Sequence, residues 1–329
     1  MTNDFTEQRI LVLGKRGGVL QWYEHMLAAQ SPLSPIKIKG FALNHNNTFE
    51  RIKNKFLGTI NKSLKEIVIA QTLEQKLLDF MPNTIIITDL FYLSDPSIKT
   101  LERYKKNNKI AHWIGDSFDE RLLHTKQLID DFYFTDSLLL KNAKDMGISN
   151  SHFLPLAFNP ETFKKPKREK RKNDLLFIGA WSENREKIIR GISTPITVIG
   201  KGWGRIHDSQ HHVTNRNIAN KEVAKLYQQH ACVLNIINSN NISHGLNMRC
   251  FEAPACGALL ITDNVKDLPK SYKPDELVTY SSPQELSTLY SKLCSNPKTI
   301  EQISKNGNQR AKSEHTYMHR IKEIIKIKN

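Results

Sequence analysis

Short apolar runs alternate with amphipathic stretches along almost the whole chain. In the first half, RILVLG, IKIKGFAL, EIVIA, TIIITDL, KIAHWIG, DFYFTD and HFLPLAF have the length and β-branched content of strands. Helical spacing lies between several of them, in VLQWYEHMLAA, LEQKLLDF, SIKTLERYKK and SLLLKNAKDMG. The last of these ends on Gly147, a residue suited to the left-handed turn after a helix. The second half repeats the alternation. DLLFIG, ITVIG, CVLNII, ALLIT and LVTY read as strands, and NREKIIRGI, KEVAKLYQQH, LNMRCFEAPAC and SPQELSTLYSKL as helices. Ser282, Pro283 and Glu285 supply a cap, a first-turn proline and a capping box for the last helix. Strands alternating with helices at this pitch predict mostly parallel sheets.

No sequence repeat is evident, yet the halves look alike, which predicts two similar α/β domains facing across a cleft. Between them lies KKPKREKRK, Lys164 to Lys172, read either as a solvated linker or as a patch for acidic lipid or a charged acceptor. The expected organisation is an N-terminal domain over 1–165, a second domain over 173–312, and a basic amphipathic tail helix over 313–329.

Composition narrows the class. The chain has 329 residues, of which 39% are hydrophobic, enough for two cores. No apolar run reaches the roughly eighteen residues that a transmembrane helix requires. The start, MTNDFTEQRILVLG, is acidic and runs straight into a strand, unlike a signal peptide. Cys232, Cys250, Cys256 and Cys294 show no C-x-x-C spacing and read as reduced, mostly buried thiols. The expectation is a cytoplasmic protein. A net charge of +15 suits anionic partners: nucleic acid, acidic lipid or phosphorylated substrates. The same excess follows from the joint richness in Lys, Asn and Ile that an AT-rich genome produces.

Ligands of parallel α/β sheets bind beyond the carboxyl ends of strands, and four such ends carry candidate chemistry. After the first strand come Gly14, Gly17 and Gly18, which fit neither G-x-G-x-x-G nor a P-loop; a phosphate approach and a plain turn both explain them. Asp116, with His112 nearby, is either a helix cap or a general base. Arg185 falls in the first turn of a helix, where the dipole disfavours a cation, so an anionic ligand is one explanation. Lys201 sits among Gly200, Gly202 and Gly204 and is a second candidate cation. The fourth end is HGLNMRCFEAPACGALLITDN. A helix starting near Leu246 places Arg249 and Glu252 on one face, with Gly245 and Asn247 in the approach. That pair either serves a ligand or forms a buried ion pair. No D-x-D motif occurs, so a metal site of that kind is not expected. His207, His211 and His212 lack the partners that loop metal sites usually have.

LNMRCFEAPACGALLITDN resembles the signature of the CgeB-like branch of group 1 glycosyltransferases, in which Arg-x-Phe-Glu leads into Ala-Cys-Gly-Ala and a strand ending Thr-Asp. FTDSLLLKNAKDMGISNSHFLPLAFNPETFKK, LLFIGAWSENREKII, VAKLYQQHACVLNI and EHTYMHRI resemble other family segments in the same order, from about residue 131 onward. The resemblance implies a GT-B fold of two Rossmann-like domains, with a nucleotide-sugar donor held by the second, the acceptor by the first, and the tail helix over 313–329 crossing back to pack on the first. Carried over, Glu252 would bind the ribose hydroxyls, Arg249 with the helix start would lie near the diphosphate, and Arg185 would be a phosphate ligand. Asn247, Gly245, Lys201 and Gly17 complete the candidate donor site. Many group 1 enzymes have a second glutamate eight residues before the ribose-binding one; here that position is His244, a candidate catalytic residue.

Glycosyl transfer leaves charge on a nucleotide diphosphate, which arginines, lysines and backbone N–H groups can meet without metal or cofactor. If the reaction inverts, Asp116 is the candidate base, with His25 and His112 behind it. A glycan or lipid-linked acceptor at the acidic inner membrane face suits the basic tail. The alternatives are a transferase acting on nucleic acid or protein, a nucleotide-sugar epimerase, and a non-catalytic nucleotide- or glycan-binding module.

Overall fold

The computed structural model describes the chain apart from residues 1–6, 18–21, 31–34, 46–51, 54, 56–60, 89–92, 107, 116–117, 119–120, 168–169, 206–209, 239–242 and 327–329. The described strands form two six-stranded sheets in which every pairing is parallel, so the expected α/β class is what is found. The chain divides into two compact units. One holds residues 1–135, 139–154 and 320–329, and the other holds 136–138 and 155–319.

The first sheet comprises β1 (Gln8–Gly14), β2 (Ile36–Ala42), β3 (Thr84–Ile87), β4 (Lys109–Ile114), β5 (Asp131–Phe134) and β6 (Ser151–Phe153), in the order β2-β1-β3-β4-β5-β6. All four residues of β3 and of β5 are buried, and both strands are mostly apolar, with Thr84 and Asp131 at their starts. Helix α1 (Trp22–Leu27) lays Trp22 against Trp113, ring centroids 5.2 Å apart. The Trp22 ring also fills the space that a Cβ on Gly115 would need. At the opposite end of β4, Lys109 Nζ pairs with Asp131 Oδ2 at 2.7 Å and donates to Ile324 O at 2.8 Å.

EIVIA is not a strand. It belongs to α2 (Lys62–Phe80), whose N-cap Asn61 accepts a hydrogen bond from Leu64 N. Ala70, Leu73, Leu77 and Phe80 recur at helical spacing and are buried, so the packing of one face outweighs the three β-branched residues within the run.

The second sheet comprises β7 (Lys172–Ile178), β8 (Ile196–Gly200), β9 (His212–Asn215), β10 (His230–Leu234), β11 (Leu259–Asp263) and β12 (Val278–Tyr280), in the order β12-β11-β10-β7-β8-β9. Chain order runs outward in both directions from the neighbours β7 and β10. That is the doubly wound order, with its topological switch point between those two strands. Edge strand β9 was not foreseen, because none of its residues is buried and it has no apolar signature. Arg171, the penultimate residue of the basic run, is not solvated linker. Its guanidinium donates to Tyr227 O, His230 O and Cys256 O. Cys232, Cys250 and Cys256 are buried free thiols, and Cys294 is an exposed one.

Candidate functional site

Two loops meet at the carboxyl ends of β7 and β10. The first leads from β7 through Gly179 and Ala180 into α6 (Glu183–Arg190), whose N-cap Ser182 accepts a hydrogen bond from Arg185 N. This cap fixes Arg185 in the first turn. Its side chain is buried: Nε and Nη2 donate to Ile236 O at 3.1 Å each, and Nη1 to Ala180 O at 2.9 Å. The second loop leads from β10 into α8 (Arg249–Ala255), which begins at Arg249, three residues later than its sequence suggests. Arg249 donates from Nη1 to Asn235 Oδ1 and from Nη2 to Ile178 O, and its buried Nε has no hydrogen-bond partner.

Both guanidiniums lie over the Phe177 ring, Arg185 at 5.6 Å and Arg249 at 5.1 Å from its centroid. Burial and the neighbouring Arg249 charge lower the Arg185 pKa to about 10. The counter-charge nearby is Asp263, whose carboxylate accepts from Ile237 N and the Tyr280 hydroxyl. Burial raises its pKa. Two cations against one carboxylate leave a net positive site.

Glu252 sits one turn into α8 and is 7% exposed. Among the described residues no donor reaches its carboxylate, and it makes no direct ion pair with Arg249. Burial pushes its pKa up to about 7, against the pull of the Arg249 charge. A carboxylate that is buried yet open to a ligand, with no protein donor, is an acceptor in want of hydroxyl or N–H groups.

Several residues that hold this site had no sequence signal. Asn235, fully buried, donates to Thr262 Oγ1 at 2.9 Å and accepts from Asn247 Nδ2 at 2.8 Å as well as from Arg249. Asp136 Oδ2 accepts three consecutive backbone N–H groups, of Ser243, His244 and Gly245, at 2.9, 2.8 and 2.9 Å. Its other oxygen accepts from Leu138 N at 2.7 Å. Burial alone would raise the Asp136 pKa; the four backbone bonds outweigh it and hold the carboxyl below its ordinary value. Ser137 Oγ lies 3.2 Å from His244 Nδ1, and Asp267 accepts from Ser137 N while its own N–H donates to His244 O. The bonds from Asp136 and Ser137 to residues 243–245 and 267 span 107 or more positions in the chain, beyond the reach of any local motif.

Arg185 and Arg249 therefore gather over Phe177, and Asn247 and Arg249 on Asn235, with Glu252 one turn along α8 from Arg249 and His244 and Gly245 in the loop that enters that helix. Lys201 is exposed at the end of β8, where its carbonyl accepts from Trp181 N. Gly17 belongs to the first unit, at φ 73°, with its N–H on Glu24 Oε1. Asp116 and His207 lie outside the described residues. His112 is buried in the first sheet, and burial lowers its pKa to about 3. Burial also lowers that of His25. His211 Nε2 is on Ile189 O, and His212 opens β9.

Two Rossmann-like units with parallel sheets define a GT-B fold. Residues 171–326 match the model of a family described as glycosyl transferase-like. Among solved structures, the Anabaena protein HepE in complex with UDP and glucose superposes with a TM-score of 0.64, at 10% identity over 97% of this chain and 98% of that one. The lipopolysaccharide outer core galactosyltransferase WaaB gives 0.55, at 16% identity over 93% and 99%. A putative UDP-N-acetylglucosamine 2-epimerase from Listeria monocytogenes gives 0.57, at 8% identity over 98% of each chain. At these identities the likeness is one of fold. No curated protein matches the sequence. Among the described residues, no helix is long and apolar enough to cross a membrane.

Proposed function

We propose that the protein is a glycosyltransferase of the CgeB-like group 1 type, moving a sugar from a nucleotide-sugar donor to an acceptor hydroxyl. The observation that carries this reading is the Glu252 carboxylate, buried without a donor one helical turn from the Arg249–Arg185 pair. A ribose presents two adjacent hydroxyl donors and a diphosphate presents the anion, at the spacing of neighbouring groups in one nucleotide. In this reading Glu252 accepts from the ribose hydroxyls, and Arg249 and Arg185 face the diphosphate and steady its charge as the glycosidic bond to the donor breaks. Those arginines stand in for a metal. His244 lies toward the sugar, and Asp116 takes the acceptor proton if the anomeric centre inverts. The acceptor is a cell-surface glycan precursor carried on lipid, met at the acidic inner face of the membrane, where the +15 chain is attracted.

The test is a thermal-shift panel of nucleotide-sugars and their nucleoside diphosphates, repeated on Glu252→Ala. Losing two charge-assisted hydrogen bonds weakens nucleotide binding by about 2 kcal/mol, roughly 30-fold, with the unfolding midpoint of the free protein kept. Unchanged affinity in that variant overturns the site. Release of nucleoside diphosphate that depends on added acceptor supports transfer. Isomerised donor without acceptor supports an epimerase instead.

A further inference from the structure

The basic run KKPKREKRK takes no part in the donor site. Seven of its nine residues are Lys or Arg, against one Glu. A free linker of this composition would be a solvated coil, but this one is held to the second unit near both of its ends. At the start, Lys164 O accepts from Gln228 Nε2 at 2.8 Å, and the Lys164 N–H hydrogen-bonds the Cys256 sulfur. Toward the end, Arg171 donates to Tyr227 O, His230 O and Cys256 O at 3.3, 2.9 and 2.7 Å. The two ends also close on one point. A Cβ on Gly257, at φ 77°, would fall 2.9 Å from Lys165 Cδ and 3.1 Å from Arg171 Nη2.

The lysines of this anchored segment face water. Lys164, Lys165, Lys167, Lys170 and Lys172 are exposed, and none of the five ammonium groups has an ion pair among the described residues. Helix α7 (Asn220–Gln229) extends the array. Lys221, Lys225 and Gln228 recur at i, i+4 and i+7 and so share a face; both lysines are exposed, and Gln228 is the residue that holds Lys164. Like charges gathered in this way repel one another, and an anionic partner relieves the repulsion. The chemistry of the groups says which kind. Nucleic-acid sites combine cations with rings on which bases stack, and favour the planar guanidinium. Here the Arg171 guanidinium is turned inward onto carbonyls, the run contains no aromatic residue, and the one ring of α7, Tyr227, is buried. A lipid surface asks for no such geometry: each lysine near acidic headgroups acts as a point charge and adds about fivefold in affinity.

We propose that the segment Lys164–Lys172, with Lys221 and Lys225, is the surface by which the protein docks on an acidic lipid bilayer. This rests on the reading of an acceptor met at the membrane, but vesicle binding is measured without donor, acceptor or turnover, so either can fail alone. The experiment is cosedimentation of the full chain with vesicles of phosphatidylcholine, with and without phosphatidylglycerol. The wild type binds only the acidic vesicles, and added salt releases it. Lys164→Gln, Lys165→Gln, Lys167→Gln and Lys170→Gln, made together, keep the unfolding midpoint, since Arg171 stays, and weaken binding to acidic vesicles about a hundredfold or more. The same change of net charge in the first unit, at exposed Lys53, Lys99, Lys106 and Lys144, weakens it by no more than about fivefold. Equal loss in the two variants overturns the patch and leaves net charge as the cause. A wild type that binds neither kind of vesicle overturns it too. So does a patch variant that keeps its vesicle affinity while losing affinity for single-stranded RNA, which assigns the segment to nucleic acid.

Discussion

The two sheets use the carboxyl ends of their strands in different ways. In the first unit, the end of β4 is filled from within: Gly115 leaves room for the Trp22 ring, which stacks on Trp113. In the second unit, the end of β7 is lined with charge: Gly179 lies against the Arg249 guanidinium, and the neighbouring carbonyls are held by Arg249 and Arg185. Both are close approaches that only a glycine permits. One closes the strand end with an apolar ring, whereas the other brings two cations together over the Phe177 ring. The contrast separates a glycine that serves packing from one that serves a site, a distinction that strand-end glycines in a sequence do not make.

The comparison breaks most visibly at Arg185. Arg185→Ala leaves the Ile236 and Ala180 carbonyls without their Arg185 donors and removes one of the two cations over Phe177. Equilibrium unfolding is expected to show a loss of about 3 kcal/mol, and calorimetric titration a loss of nucleotide affinity as well. Loss of stability with affinity intact would make Arg185 a purely structural clamp, like Arg171. Gly115→Ala sets a methyl group into the Trp22 ring and should cost about 2 kcal/mol of stability in the same unfolding experiment. If the proposed site in the second unit holds the nucleotide, its affinity should stay unchanged in the same variant.

The gentlest probe is pH. The Glu252 pKa is raised to about 7 in the folded protein, above its ordinary value, because burial disfavours the charged form. The folded state therefore holds this proton where the unfolded chain has released it. The stability contributed by the group is full below its ordinary pKa and is lost as pH rises through about 7. Ligand hydroxyls favour the ionised form, so nucleotide affinity should climb as pH rises towards 7 and then level off. Titrations between pH 6 and 8 should show both trends, and Glu252→Gln should flatten both.

Much of this was legible in the sequence. The alternation of runs such as RILVLG and ITVIG with helical stretches announces parallel sheets, since a strand buried on both faces has to be apolar throughout. Arg249 and Glu252 are visible because the site needs them one turn apart on a single short helix. EIVIA misleads because a short apolar run has no periodicity of its own. Helix α10 (Pro297–Glu314) went unseen for the opposite reason. Its apolar stripe is sparse: Ile300 and Ile303 pack only partly buried against the core, the buried residues are Gly307, Asn308 and Ala311, and Asn308 grips Pro254 O and Ala255 O at 2.8 Å. Asp136, Asn235 and Asp263 were silent because each does its work through partners that only the fold supplies.

The three amides gathered on Asp136 bear on the cost of recognition. Fixing a residue's backbone takes roughly 1–2 kcal/mol of conformational entropy. A loop ordered only when a ligand arrives gives that amount up from the binding energy, residue by residue. Here Ser243, His244 and Gly245 are already ordered by a carboxylate of the same chain, so their entropy is lost at folding. What remains of a ligand's interaction energy at this loop is then free to discriminate between one ligand and another.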